Sequence, residues 1–439
     1  MRDPRTTRRG ELAWALYDWA NSAFATTVLA GLFPVFFKSY WNSGVDPATS
    51  TLRLGTANSV ASLVIALMAP ALGAIADAGG LRRRLLALFA MLGAVSTAAL
   101  YFVAQGQWLA AALLFVAANV GFMGGNVFYD ALLVNVAAPN RRDVISALGF
   151  ALGYLGGGLL FAANVVMVQA PHVFGLPSKA VAVRVAFLTV AAWWVLFSVP
   201  LLVFVNEDRA RPRVGGAVVD GLRRLRSTVR QVRKLRVVSL FLAAYWLYID
   251  GVDTIIRMAV DYGLAIGLES GDLIKALLIT QFVGFPAAIA FGRLGARIGA
   301  KRAVLIGVGV YVGVSMMAAT MSSARSFYVL AAAVGLVQGG VQALSRSLFS
   351  RIIPPSQASE FFGFYNMLGK STAIVGPLLM GLVGRVTGDP RWSILAILGL
   401  LVAGGVLLLR VDEGEGVRVA ESLETDRGAG DGDSDPAVK

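Results

Sequence analysis

Apolar runs of about 20 residues, the length a helix needs to cross roughly 30 Å of hydrocarbon, recur along almost the whole chain between charged or turn-forming residues. They predict twelve spans, at about 12–39, 53–76, 85–104, 108–137, 143–170, 180–205, 237–265, 272–295, 303–322, 326–350, 360–384 and 391–410. An even number of crossings places both termini on one side. Two segments depart from the pattern. Within 206–236, Leu222, Leu225, Val229, Val232 and Leu235 recur at helical spacing among Arg223, Arg224, Arg226, Arg230, Arg233 and Lys234. This predicts a basic amphipathic linker lying on an anionic leaflet, with a solvated tether as the plainer alternative. Residues 411–439 are acidic and Gly-rich, have little to bury, and are expected to be a disordered tail.

The predicted spans also repeat. Gly73-x3-Asp77-x2-Gly80-x-Arg82-Arg83 after the second span lies over Gly292-x3-Ala296-x2-Gly299-x-Lys301-Arg302 after the eighth. Gly124-Gly125 and Pro139 lie over Gly339-Gly340 and Pro354, and Gly149-Phe150 lies over Gly363-Phe364. Matches that keep their order argue for a duplicated six-helix unit. The expected organisation is therefore a bundle at 1–205, the linker at 206–236, a second bundle at 237–410, and the tail.

Composition sharpens this picture. Of 439 residues, 57% are apolar and 15% charged, far below the roughly 25% charged of a soluble domain. The formal charge of +13 resembles a nucleic-acid signal until it is located. The 28 bases flanking spans on the side of the termini outnumber the 8 on the other side, so the positive-inside rule makes both termini and the linker cytoplasmic. Short basic loops between spans offer nucleic acid no continuous face. Arg2, Arg5, Arg8 and Arg9 lead into an apolar run too long for a cleaved signal peptide, which reads as a retained anchor. With 32 Arg against 7 Lys, a GC-rich bacterial genome and an inner-membrane location are expected. There is no Cys and one His, His172, so thiol chemistry and Cys-ligated metal are excluded and carboxylates must carry any proton work. Gly369-Lys370-Ser371 imitates the end of a phosphate-binding loop, but the upstream glycine is misplaced and no strand precedes it. No cofactor, metal or enzymatic chemistry is expected.

The Gly73–Arg83 pattern resembles the signature between the second and third helices of the major facilitator superfamily. Gly73 and Gly80 permit a tight turn, Asp77 can accept N–H groups from a neighbouring helix N-terminus, and Arg82 and Arg83 hold the face. Together they are expected to form a conformational latch. The opening Ala13-Trp14-Ala15-Leu16-Tyr17-Asp18-Trp19-Ala20-Asn21-Ser22-Ala23-Phe24, with Gly149-x3-Gly153-Tyr154-x-Gly156-Gly157, resembles the vacuole-effluxer-like family, relatives of the autophagy-related vacuolar effluxer. The resemblance implies an all-α, twelve-helix 6+6 fold and small-molecule efflux, with amino acids the substrates usually named.

Charged residues at membrane depth usually face a bundle interior or water. Asp18, Asp130, Asp250, Asp253, Arg257 and Arg346 fall on spans 1, 4, 7 and 10, which would line the central cavity of such a fold, and Lys370 falls on span 11. Trp14, Asp18, Asn21 and Ala25 share one helical face, as do Asn119, Met123, Asn126 and Asp130. These residues form the expected substrate and proton pathway, with the four aspartates as proton carriers. Two alternatives stay open: Asp253 and Arg257 neutralise each other one helical turn apart, and Asp18 and Asp130 cap or snorkel. Opposite charges at one depth suit a zwitterion. Gly149, Gly153 and Gly157 with Gly284, Ala288 and Gly292 give smooth faces expected to pack between the halves. The function expected is a monomeric, proton-coupled secondary transporter of a small polar solute; a drug exporter of the same fold, or a non-transporting receptor or lipid-handling protein, are the alternatives.

Overall fold

The computed structural model describes residues 4–207, 235–265, 268–321, 323–387 and 390–432, and among these the regular structure is helical. Helix α1 starts as Pro4–Ala23 and runs on through a π-helical stretch, Phe24–Leu32, a turn at Phe33–Phe36 and a second π stretch, Phe37–Trp41. Pro34 has no N–H to give to the turn before it, so widened turns on either side are where the helix absorbs the defect. There follow α2 (Pro47–Gly79), α3 (Arg82–Ala99), α4 (Trp108–Val136), α5 (Arg142–Gln169) and α6 (Lys179–Phe204). The second series comprises α7 (Arg236–Ala265), α8 (Ser270–Ile298), α9 (Ala300–Thr320), α10 (Ala324–Arg351), α11 (Ala358–Thr387) and α12 (Pro390–Leu409). Among the described residues, ten helices are long and apolar enough to cross a membrane. The segments expected at 360–384 and 391–410 are helical within α11 and α12.

Local chemistry sets the ends. Asp46 precedes Pro47 and accepts the Thr49 N–H at 2.9 Å, which caps α2. Gly80 ends it in the left-handed region at φ +60°, a conformation open to a residue without Cβ. Buried apolar side chains gather into two main cores. One is drawn from Ala13 to Val205, the other from Val237 to Val411 with Ala131 of α4 added to it. Ala131 therefore marks where the first half enters the packing of the second.

Three expectations need revision or fall elsewhere. The tail was expected to be disordered, yet Glu413–Gly432 forms a helix, α13. Asp412 accepts the Glu415 N–H at 3.0 Å and supplies a cap, acids occupy the first turn, and Ala420 is buried against the bundle. Composition understated these stabilising contacts. The Gly149, Gly153 and Gly157 face packs on α1 of its own half, not on α8; the α5 face that meets α8 carries Ala147, Tyr154 and Gly158. Fourfold spacing reveals a smooth face but not which neighbour takes it. The basic core of the linker, 208–234, lies outside the described residues.

Candidate functional site

Arg346, near the C-terminal end of α10, is 3% exposed and surrounded by groups of the first half. Its Nη1 donates to Asp130 Oδ1 on α4 at 3.1 Å, and its Nη2 lies 3.5 Å from Asp18 Oδ2 on α1. Nε donates to Ser146 Oγ and Nη2 to the Ser146 carbonyl, both at 2.9 Å. The rings of Phe150, Trp14 and Tyr129 lie 4.5, 4.8 and 5.1 Å from the guanidinium carbon. A buried guanidinium is stable only when its charge is answered and its donors are used. Here two carboxylates and one serine of the first half satisfy a cation of the second.

The carboxylates are held in turn. Tyr129 donates to Asp18 Oδ2 at 2.8 Å, and Asn366 of α11 donates to Asp130 Oδ2 at 3.0 Å. Trp14 stacks on Tyr129 with ring centres 4.3 Å apart and donates its indole N–H to the Tyr129 carbonyl. Gly149 makes room for the cluster, since a Cβ there would lie 2.7 Å from both Asp18 Oδ2 and the Tyr129 hydroxyl. One turn farther along α1, Asn21 donates to Asn126 at 2.7 Å. Trp14, Asp18 and Asn21 of α1 therefore pack on Tyr129 and Asn126 of α4, whereas Asp130 turns to Arg346 and Asn366, and Asn119 to Asn58 of α2.

A second set of bonds crosses between the halves around the 79–82 turn. Asp77 accepts the N–H groups of Ser359 at 3.2 Å and Glu360 at 2.9 Å, the orphan donors at the start of α11. Arg82 donates to Asp77 at 2.9 Å, to Asn135 at 2.7 Å and to the Pro355 carbonyl at 3.0 Å. Backbones approach closely beside it: a Cβ on Gly73 would meet the Ser359 carbonyl oxygen, and one on Gly363 would lie 2.7 Å from the Ala69 carbonyl. Arg83 donates to the Val205 carbonyl at 3.0 Å, and Glu207 accepts the N–H groups of Arg82 and Arg83 at the start of α3. On α5, Asp143 takes the Ser347 hydroxyl at 2.5 Å and pairs with Arg351, and Arg142 donates to the Ser350 carbonyl at 2.6 Å.

Along α2, the residues Leu52, Thr56, Ser59, Leu63, Ala66, Pro70, Gly73 and Asp77 fall on one stripe; at 100° per residue its first and last members differ by only about 20°. The lower part of that stripe, 69–77, touches α11. The upper part borders an open hollow of about 480 Å³ lined by Leu52, Gly55, Thr56, Ser59, Val60 and Leu63. Ser59 and Asp77 are separated by about 27 Å along the helix. One helix face is thus closed on the second half at one end, while at the other end the hollow is lined, among the described residues, by α2 alone.

Other expected residues lie elsewhere. Asp250 of α7 is 2% exposed and accepts the Gly376 N–H of α11 at 3.1 Å, ahead of Pro377, while Asp253 is half-buried. The side chains of Arg257 and Lys370 lie outside the described residues, so the Asp253–Arg257 pair and the place of Lys370 have no structural account. Between the halves, Gly284 packs on the Tyr154 ring and Gly292 on Ala147, with Ala288 beside Gly339; Gln281 donates to Thr26 at 2.6 Å. Sequence inspection missed Tyr129, Ser146, Asn366, Asp143, Arg351 and Glu207. Two of them had a signal: Tyr129 adjoins Asp130, and Ser146 precedes Gly149 by three on the same helix.

A family model described as "Vacuole effluxer Atg22 like" matches residues 49–421. The uncharacterised MFS-type transporter YxiO of Bacillus subtilis is 38% identical over 92% of this chain and 95% of its own. Autophagy-related protein 22 of Coccidioides immitis is 24% identical, with 96% and 90% covered. Among solved structures, the human organic anion transporter MFSD10 is similar with a TM-score of 0.71 at 18% identity, covering 93% of this chain and all of that one.

Proposed function

The chain belongs to the vacuole effluxer Atg22-like family and is a transporter of the major facilitator type, and from that premise we propose that it is a proton-coupled secondary transporter in which two six-helix halves rock about a central site. The observation that carries the mechanism is the single α2 stripe, which packs on α11 at Gly73 and Asp77 and borders a hollow at 52–63. A pair of rigid halves hinged between those ends would exchange which end is closed. By the positive-inside rule the closed end is read as the cytoplasmic one, in a bacterial inner membrane, with the 206–236 linker proposed to meet anionic lipid and the molecule proposed to act as a monomer.

The solute proposed is small and zwitterionic, with an amino acid the first candidate and export the direction. While the cytoplasmic face is closed, Asp18, Asp130 and Arg346 satisfy one another. When the halves part they lose those partners, and leaving buried charges unpaired costs about 3–5 kcal/mol. A solute bearing one ammonium and one carboxylate answers both signs at once. Protonation of a carboxylate such as Asp18 removes one charge to be answered, which couples the parting of the halves to proton binding. Asp250 and Asp253 extend the acidic path into the second half.

Purified protein in liposomes loaded with single amino acids tests this. Efflux of at least one amino acid that is accelerated by an inward-directed proton gradient supports the proposal. Efflux of lipophilic cations alone would make the protein a drug exporter, and thermal stabilisation by lipids without solute movement would make it lipid-handling.

A further inference from the structure

Helix α13 and the corner leading into it are fastened to the second half at four places. At the α12–α13 corner, Lys301 donates to the carbonyls of Leu409 at 2.8 Å and Val411 at 2.7 Å. Arg351 Nη1 then donates to Glu413 at 2.7 Å. Gly416 seats against the α10 end and the start of α7, where a Cβ would lie 2.7 Å from Ile352 and 2.9 Å from Val237. Finally, the Ser356 hydroxyl donates to Glu424 at 2.8 Å. Gly416 is the contact that fixes the approach, because any larger residue would lift the helix away from Ile352.

The segment held in this way is the one gripped from the other side by the first half. Arg351 offers Nη1 to Glu413 and Nη2 to Asp143 of α5. Pro355 gives its carbonyl to Arg82, and Ser359 and Glu360 give their N–H groups to Asp77. Ser356, tied to Glu424, sits between these gripped residues. The 351–360 turn is therefore sandwiched between the latch and the tail.

We propose that α13 is a strap that holds the 351–360 turn in the shape the first half grips, so that docking of the acidic tail favours the state closed on this face. The proposal rests on the alternating-access reading. A turn fixed in advance loses less conformational freedom on meeting its partners. Release of the tail frees the turn and weakens every bond it makes with Asp77, Arg82 and Asp143.

The chain has no cysteine, so a single Ala131→Cys reports access to the interface without background. Ala131 is fully buried and packs with the second core. In the full-length Ala131→Cys protein, Gly416→Leu should raise the thiol-labelling rate by about fivefold or more, as expected for a shift of about 1 kcal/mol between two states. Glu424→Gln, which leaves the packing intact, should raise it by a smaller factor of about two and decides the matter if Gly416→Leu does not fold. An unchanged or slower rate in these variants, with Asp77→Asn still labelling faster, overturns the strap and leaves the rocking halves standing. No change in any variant, Asp77→Asn included, removes the rocking halves and the strap together.

Discussion

Arg346 Nη1 lies 3.1 Å from Asp130 Oδ1, and in the sequence match that overlays Gly124 on Gly339, Asp130 falls over Ser345, one position before Arg346. Helices α4 and α10 thus face each other with opposite charges one position apart in that match. Identical halves could not do this, since like residues would oppose each other. The difference between the two matched segments gives the interface a cation on one side and two carboxylates on the other.

Removing the cation alone should be the damaging change. Arg346→Met leaves Asp18 and Asp130 buried without their counter-charge, and the expected loss is about 3–5 kcal/mol of stability, seen as a drop in Tm or in folded yield. Adding Asp18→Asn and Asp130→Asn to it should restore much of the stability without restoring transport. Full stability in the single variant would mean that Arg346 makes no use of the two carboxylates.

Close approach of α2 and α11 depends on Gly73. In Gly73→Ala the new methyl meets the Ser359 carbonyl and the Glu360 Cα, 2.8 Å away, and both belong to backbone that cannot rotate aside. The expected result is separation at this contact at a cost of about 1–3 kcal/mol, read as faster labelling of Ala131→Cys. Labelling at the parental rate would show that α11 shifts to accommodate the methyl with the face still closed.

A neutral amide at position 77 keeps the size and an acceptor but loses the charge facing the α11 N-terminus and Arg82. Such a charge contributes about 0.3–1 kcal/mol at a helix end, up to about 2 when partly buried. Asp77→Asn should therefore raise the Ala131→Cys labelling rate severalfold while leaving the ranking of solutes untouched. A changed solute preference would place Asp77 in the solute path instead.

Coupling is tested separately. Asp18→Asn should reduce transport driven by a pH gradient far more than solute exchange at equal pH, because exchange does not require a group that binds and releases protons. Equal losses in both assays would make Asp18 a structural partner of Tyr129 and Arg346.

The helices were legible in the chain because membrane helices are written in long apolar runs. The helical phase of Trp14, Asp18 and Asn21 puts them on one face but does not say that this face packs on Tyr129 and Asn126 of α4. What stayed hidden depends on facts that spacing does not encode. Arg346 could have faced water or an acid, and its pairing with Asp130 requires knowing how α10 lies against α4. Ser146 contributes both a hydroxyl and a carbonyl, and a carbonyl has no sequence signature. The Gly149 face was visible but its partner was not, and an acidic composition carries no sign of the contacts that Arg351, Gly416 and Ser356 make with the tail helix.

Reciprocal access at the two ends of α2 is the most direct test. Two single-cysteine proteins, Ala131→Cys at the closed end and Ser59→Cys at the hollow, are labelled with a membrane-impermeant thiol reagent applied to purified protein, with and without Asp77→Asn. Rocking halves predict opposite changes: Asp77→Asn speeds labelling at 131 and slows it at 59. Both sites labelling faster together, or 59 indifferent while 131 opens, would mean that the face loosens locally and that the two ends of the molecule do not exchange.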